Sequence, residues 1–203
     1  MFLKNDQKGR TMTEMLGVLT IVIMLGASII SLVGNIWGMF KQNLVVNEVR
    51  DLQKYISEAY KADGNYEKLF KDANTAADVA QRLCNQKIAP FQVCAGDGLR
   101  HRQGGNIQIS GVKNAKNVID KFQMTLDNLP AKTCLAIAEI NWFLQKRSEI
   151  YQMKINAGTD SELVVNLPQN TEGDAVNLYT FSIGDAMTHC NLGTENVIDL
   201  VFF

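Results

Sequence analysis

The sequence predicts an α+β fold: one long N-terminal helix, membrane-spanning in its first half, packed on an antiparallel sheet with short covering helices. Three observations predict it. Met15–Phe40 is a charge-free run of 26 residues, longer than the about 20 that a bilayer-crossing helix needs. A helical apolar period continues beyond that run. Past residue 105, short segments of alternating apolar and polar residues are separated by Gly, Asn and Pro, as in antiparallel strands.

The chain has 203 residues and a net charge of −1, with three prolines. From Lys41 onward 163 residues remain, enough for one sizeable core. The charge balance supplies no basic field for nucleic acid, and no biased tract points to disorder. The sequence divides into a short basic segment at 1–9, an apolar helix at 10–40, and a globular domain at 41–203 that includes the amphipathic second half of the long helix.

The segment MFLKNDQKG has no apolar core or small-residue cleavage site of a secretory signal. Lys4, Lys8 and Arg10 precede the apolar run, whereas Lys41 and Arg50 follow it. The Lys/Arg bias places the N-terminus inside and the C-terminal domain outside. Glu14 stands at the entrance to the run. A carboxylate costs about 2.5–3.5 kcal/mol at a bilayer centre, less near the interface, so an acid here implies a positive partner or an ordinary flanking charge. Gly17, Gly26, Gly34 and Gly38 would let neighbouring helices approach closely.

Val45, Val49, Leu52, Ile56 and Ala59 recur at spacings of four and three. They extend the helix to about residue 62, roughly 75 Å from residue 11 at 1.5 Å per residue. Asp63-Gly64-Asn65 ends it. Asn74 or Thr75 caps a short helix through Cys84, and residues 86–105 read as a solvated loop bearing Arg100, His101 and Arg102. Asn106–Ser110 and Phe122–Leu126 alternate as strands. Pro130 suits a helix's first turn, and a helical pattern runs from Ala131 to Lys146, with Cys134, Ile137, Ala138, Asn141 and Trp142 on its buried side. Ile150–Ile155, Leu163–Leu167, Leu178–Ile183 and Asn196–Phe203 are the remaining strand candidates.

Cys84, Cys94, Cys134 and Cys190 all fall in the outer part. An even count in an exported domain reads as disulfides. Of the three possible pairings, a small Cys84–Cys94 loop with a large Cys134–Cys190 loop is favoured over the others. No C-x-x-C spacing supports zinc, so no metal is expected.

Gly9, Arg10 and Glu14 ahead of the apolar run resemble the N-terminus of type IV prepilins. In that family a basic leader ends in glycine, a peptidase cuts after it, and the fifth mature residue is glutamate. The resemblance implies cleavage between Gly9 and Arg10, N-methylation of Arg10, and an assembly role for Glu14. It departs at Arg10, where an apolar residue is usual, and in lacking a proline within the run. The order strand, Leu-Pro, cysteine-bearing helix at DNLPAKTCLAIAE is similar to the C-terminal domain of type IVb pilins. There the helix cysteine pairs with one near the C-terminus, the place Cys190 takes.

The resemblance implies a homo-oligomeric helical filament, a prepilin peptidase and a pilus assembly machinery as partners, storage in a bacterial inner membrane, and a pilus at the cell surface. A minor pilin, a pseudopilin and a tip adhesin on a pilin stalk are alternatives within that reading. No catalytic set is legible: the two histidines, His101 and His189, have no nucleophile partner in any recognisable spacing. No enzyme activity and no cofactor are expected.

Overall fold

The computed structural model describes residues 12–96, 98–140, 150–160, 162–166, 183–193 and 195–203; the side chains at 13, 14, 26–35, 37, 61, 166, 183 and 185 lie outside that description. The chain divides into two compact units, one ending at Phe40 and one running Lys41–Phe203. Helix α1, Met12–Tyr60, contributes to both.

In the second unit, α1 buries Val45, Val49, Leu52 and Ile56 completely. This is the four-and-three spacing seen in the sequence as far as Ile56, which puts one stripe of a helix against a core, whereas Ala59, the last of the expected series, is exposed. Lys54 and Glu58 lie on its exposed side, 4.0 Å apart. A 3-10 turn, Lys61–Asp63, follows. Gly64 then takes φ +73, a left-handed conformation that glycine adopts without a Cβ clash.

Helix α2, Glu67–Phe70, is too short to show a period in sequence. Helix α3, Ala76–Asn85, begins with a capping box in which Thr75 and Asp78 exchange side-chain-to-backbone hydrogen bonds. The Arg82 guanidinium on α3 donates to the carbonyls of Lys68, Leu69 and Lys71, satisfying the C-terminal end of α2.

Among the described residues seven strands form one antiparallel sheet: β1 Cys94–Ala95, β2 Gly98–Arg100, β3 Asn106–Lys113, β4 Ile119–Leu129, β5 Ile150–Ile155, β6 Leu163–Asn166 and β7 Asn196–Phe202. Their order is β1-β2-β3-β4-β7-β5-β6. Phe122, Met124 and Leu126 of β4 point to the core with Ile107 and Ile109 of β3. Across the β4–β7 pairing, Phe122 stacks on Phe202 at 5.2 Å between ring centroids, and Tyr66 meets Phe122 edge-on at 5.0 Å. The Tyr66 hydroxyl donates to the main-chain oxygen of Phe203 at 2.6 Å. These residues and the buried stripe of α1 belong to one apolar cluster.

Helix α4, Ala131–Ala138, follows Pro130, whose extended ψ of 148° makes it the cap that precedes the helix, not part of its first turn. Cys134, Ile137 and Ala138 are buried as expected. The helix expected to reach Lys146 ends at Ala138, with Glu139 as its C-cap and Ile140 in a bend, and 141–146, with Asn141 and Trp142, lie outside the described residues.

Two expectations change. Residues 86–105 are not one loop, since β1 and β2 pair there. Strands of two and three residues are too short for alternation to register; they are held by β3 beside them. Ile183 does not end a strand but begins helix α5, Ile183–His189. Ala186 and Cys190 are both buried, four residues apart, which is a helical spacing. The rest of the Leu178–Ile183 segment lies outside the described residues.

Candidate functional site

In the first unit the feature with functional content is the surface of α1. Every residue from Met15 to Leu25 is exposed, with Leu16, Leu19, Ile21 and Ile23 at about 60%. Eleven consecutive positions cover three turns, so the helix is apolar on all sides and not on one stripe. A Cβ built at Gly17 or Gly38 would meet nothing within 4 Å, so packing within the chain does not require either glycine. The hydroxyl of Thr20 donates to the carbonyl of Leu16 at 2.8 Å, which satisfies it without water. A continuous apolar surface of this kind marks a contact with lipid or with other chains.

Among the described residues no helix is long and apolar enough to cross a membrane. The expected membrane run Met15–Phe40 includes residues 26–35 and 37, whose side chains lie outside the description. Gly9 and Arg10 also lie outside the described residues. Glu14 is within α1 by its backbone, and its side chain is not among those described.

In the second unit, Cys84 of α3 is bonded to Cys94 of β1, and Cys134 of α4 to Cys190 at the end of α5. The first tethers the short β1–β2 hairpin to a helix. The second ties α5 to α4 across a sequence separation of 56. A cleft between α1 and the Cys84–Cys94 loop is lined by Asp51, Tyr55, Lys87, Ile88, Pro90 and Phe91, with the Phe91 ring 90% exposed. Among the described residues no group of three or more His, Cys, Asp or Glu is placed to hold a metal ion.

Of the three basic residues expected to be solvated, Arg100 and Arg102 are exposed and His101 is the exception. His101 is buried. Its Nε2 lies 2.9 Å from the main-chain oxygen of Asp127 on β4, and its Nδ1 lies 3.3 Å from the Gln103 amide nitrogen. Arg102 donates from its backbone N–H and its Nε to the two carboxylate oxygens of Glu48 on α1, each at 3.1 Å. Burial raises the Glu48 carboxyl above its usual 4.5, and the Arg102 contacts offset part of that rise. Burial likewise holds the His101 imidazole below its usual 6.5, against the opposing pull of Asp127. A Cβ on Gly105 would collide with the Asp127 carbonyl and the His101 ring, so this close approach requires glycine. Glu48 and Arg102 are 54 residues apart, and no local spacing announces their pairing. The adjacent Gly104 and Gly105 were the only sequence sign of a crowded turn.

The fold so built, a long helix whose second half is buried with an antiparallel sheet and short covering helices, is that of the type IV pilins. The structure of TcpA, a type IV pilin from Vibrio cholerae El Tor biotype, is similar with a TM-score of 0.52 and 14% identity, over 80% of this chain and 99% of that one. A type IVb pilin from Salmonella typhi is similar with a TM-score of 0.46 and 14% identity, over 76% of this chain and 96% of that one. No family model and no curated protein matches the sequence. At such identity the likeness shows the fold.

Proposed function

We propose that this chain is a structural subunit of a type IV pilus, of the type IVb-like kind. It is held in the inner membrane, cleaved after Gly9, methylated at Arg10, and assembled through its N-terminal helix into a surface filament for adhesion, motility or cell-cell contact. The observation that carries this reading is the pilin fold joined to a helix that is apolar on all sides. A helix exposed on all sides over 15–25 would bury that apolar surface in a bundle of identical helices. The Gly9-to-Glu14 spacing adds to it.

In this mechanism cleavage frees the α-amino group of Arg10, which pairs with Glu14 of a neighbouring subunit. A carboxylate left unpaired in an apolar bundle costs about 3–5 kcal/mol, so the pair sets the register between subunits. The disulfide-bonded domain from Lys41 onward would form the outer surface. A prepilin peptidase and an assembly machinery are the required partners, and neither metal nor cofactor enters.

Intact-mass measurement on material sheared from cells tests this. A species beginning at Arg10 with an added methyl group, gaining four hydrogens on reduction of its two disulfides, is the expected result. Full-length protein confined to membranes would overturn it.

A further inference from the structure

The partners of His101 fix both its tautomer and its charge. The main-chain oxygen of Asp127 can only accept, so Nε2 must carry the hydrogen. The Gln103 amide can only donate, so Nδ1 must present its lone pair. Both ring nitrogens are thus satisfied in one neutral form. A proton on Nδ1 would set two N–H groups against each other and leave the Gln103 amide unpaired.

The same turn carries the contacts that close it. The His101 amide donates to the Gly105 carbonyl at 3.0 Å, and the Gly104 amide donates to the His101 carbonyl at 2.8 Å. Arg102, between them, reaches Glu48 on α1. Asn106, next along, donates to the Asp127 carboxylate from its backbone and its side chain. The charged groups around the ring are therefore Asp127 on β4, Glu48 on α1 by way of Arg102, and Arg100 and Arg102 on its own segment.

We propose that His101 is an acid-operated latch: while neutral it holds the 101–105 turn shut on α1 and β4, and a proton on Nδ1 releases it. Release frees the Arg102 backbone from Glu48 and exposes the edge between the β2–β3 turn and α1. The burial that depresses the imidazole's affinity for protons places this opening on the acid side of 6.5. The latch belongs to the fold of the second unit and does not depend on filament assembly.

Hydrogen exchange on the full chain in detergent, corrected for intrinsic rates, tests this at about pH 8 and about pH 5. The amides of 101–106 should exchange severalfold faster at the lower pH, because protonation then favours the open turn. His101→Gln should abolish the acceleration, because an amide side chain offers a donor and an acceptor with no titration. Glu48→Gln should retain it. An unchanged rate in the wild type, or the same acceleration in His101→Gln, would overturn the proposal. Should His101→Gln fail to fold, ring nitrogen shifts in the wild type decide. Nδ1 should report a lone pair at the higher pH, and the Gln103 amide should move with the same midpoint as the ring. A neutral ring protonated on Nδ1 would refute the latch.

Discussion

Asn156 donates to the side-chain oxygen of Asn196 at 3.1 Å, joining the end of β5 to the start of β7. Both amides are fully used. Asn156 also donates to the carbonyl of His189 and accepts from the Val197 amide. The Asn196 nitrogen faces the carbonyls of Leu129, Asn191 and Gly193. An isosteric Asn196→Asp change would aim a carboxylate oxygen at three acceptors in a buried site. It should cost about 3 kcal/mol, as an unsatisfied and charged buried group does. Urea unfolding against the wild type measures it; a loss under a third of that would mean the pocket admits water.

The two disulfides should differ in what they contribute. In the chain-entropy account, closing a loop across the Cys134–Cys190 separation of 56 adds about 4 kcal/mol, and across the Cys84–Cys94 separation of 10 about 3 kcal/mol. Paired Cys→Ser changes, one disulfide at a time, should order the melting temperatures accordingly. The reverse order would show that the tether between α3 and the β1–β2 hairpin matters more than loop length.

Glu48 and His101 act on stability in opposite directions as pH changes. The Glu48 pKa is raised, so its contribution is full below the ordinary value of 4.5 and is lost as pH rises through the folded value. The His101 pKa is depressed, so its contribution is full above 6.5 and is lost as pH falls through the folded value. On acidification the His101 contribution should drop below 6.5, and protonation of Glu48 above 4.5 should give a recovery of opposite sign. Glu48→Gln should keep the drop and lose the recovery. Identical pH profiles for the two proteins would rule out Glu48 as the source.

For the filament, Glu14→Ala and the isosteric Glu14→Gln should both leave normal cellular amounts of folded subunit and remove it from sheared material. Quantitative blotting of the two fractions checks this. Filaments at wild-type yield from either variant would take the register role away from Glu14.

The parts of the fold that were legible share a physical basis. Val45, Val49, Leu52 and Ile56 repeat within one helix, and Phe122, Met124 and Leu126 within one strand, so local periodicity carries the information. β1 and β2 could not be read that way, because hairpin strands of two and three residues depend on β3 and on Cys84 for their shape. The same holds for Ile183, whose helix is anchored by a bond from Cys190 to α4. At the site the difference is sharper. Gly9, Arg10 and Glu14 are visible as a linear pattern, whereas Glu48, His101, Arg102 and Asp127 meet only when a helix, a turn and a strand come together.

The sheet order has a consequence for how this domain is made. β7 follows every other described strand in the chain, yet it lies between β4 and β5. On its two sides β7 supplies Phe202 opposite Phe122 and Leu200 opposite Met153. Until β7 arrives, β4 and β5 each present an open edge, and the apolar cluster lacks a wall. Such distant pairings are slow to form. The sheet of the second unit therefore closes only when β7 enters between β4 and β5, so its completion waits on the last of the described strands.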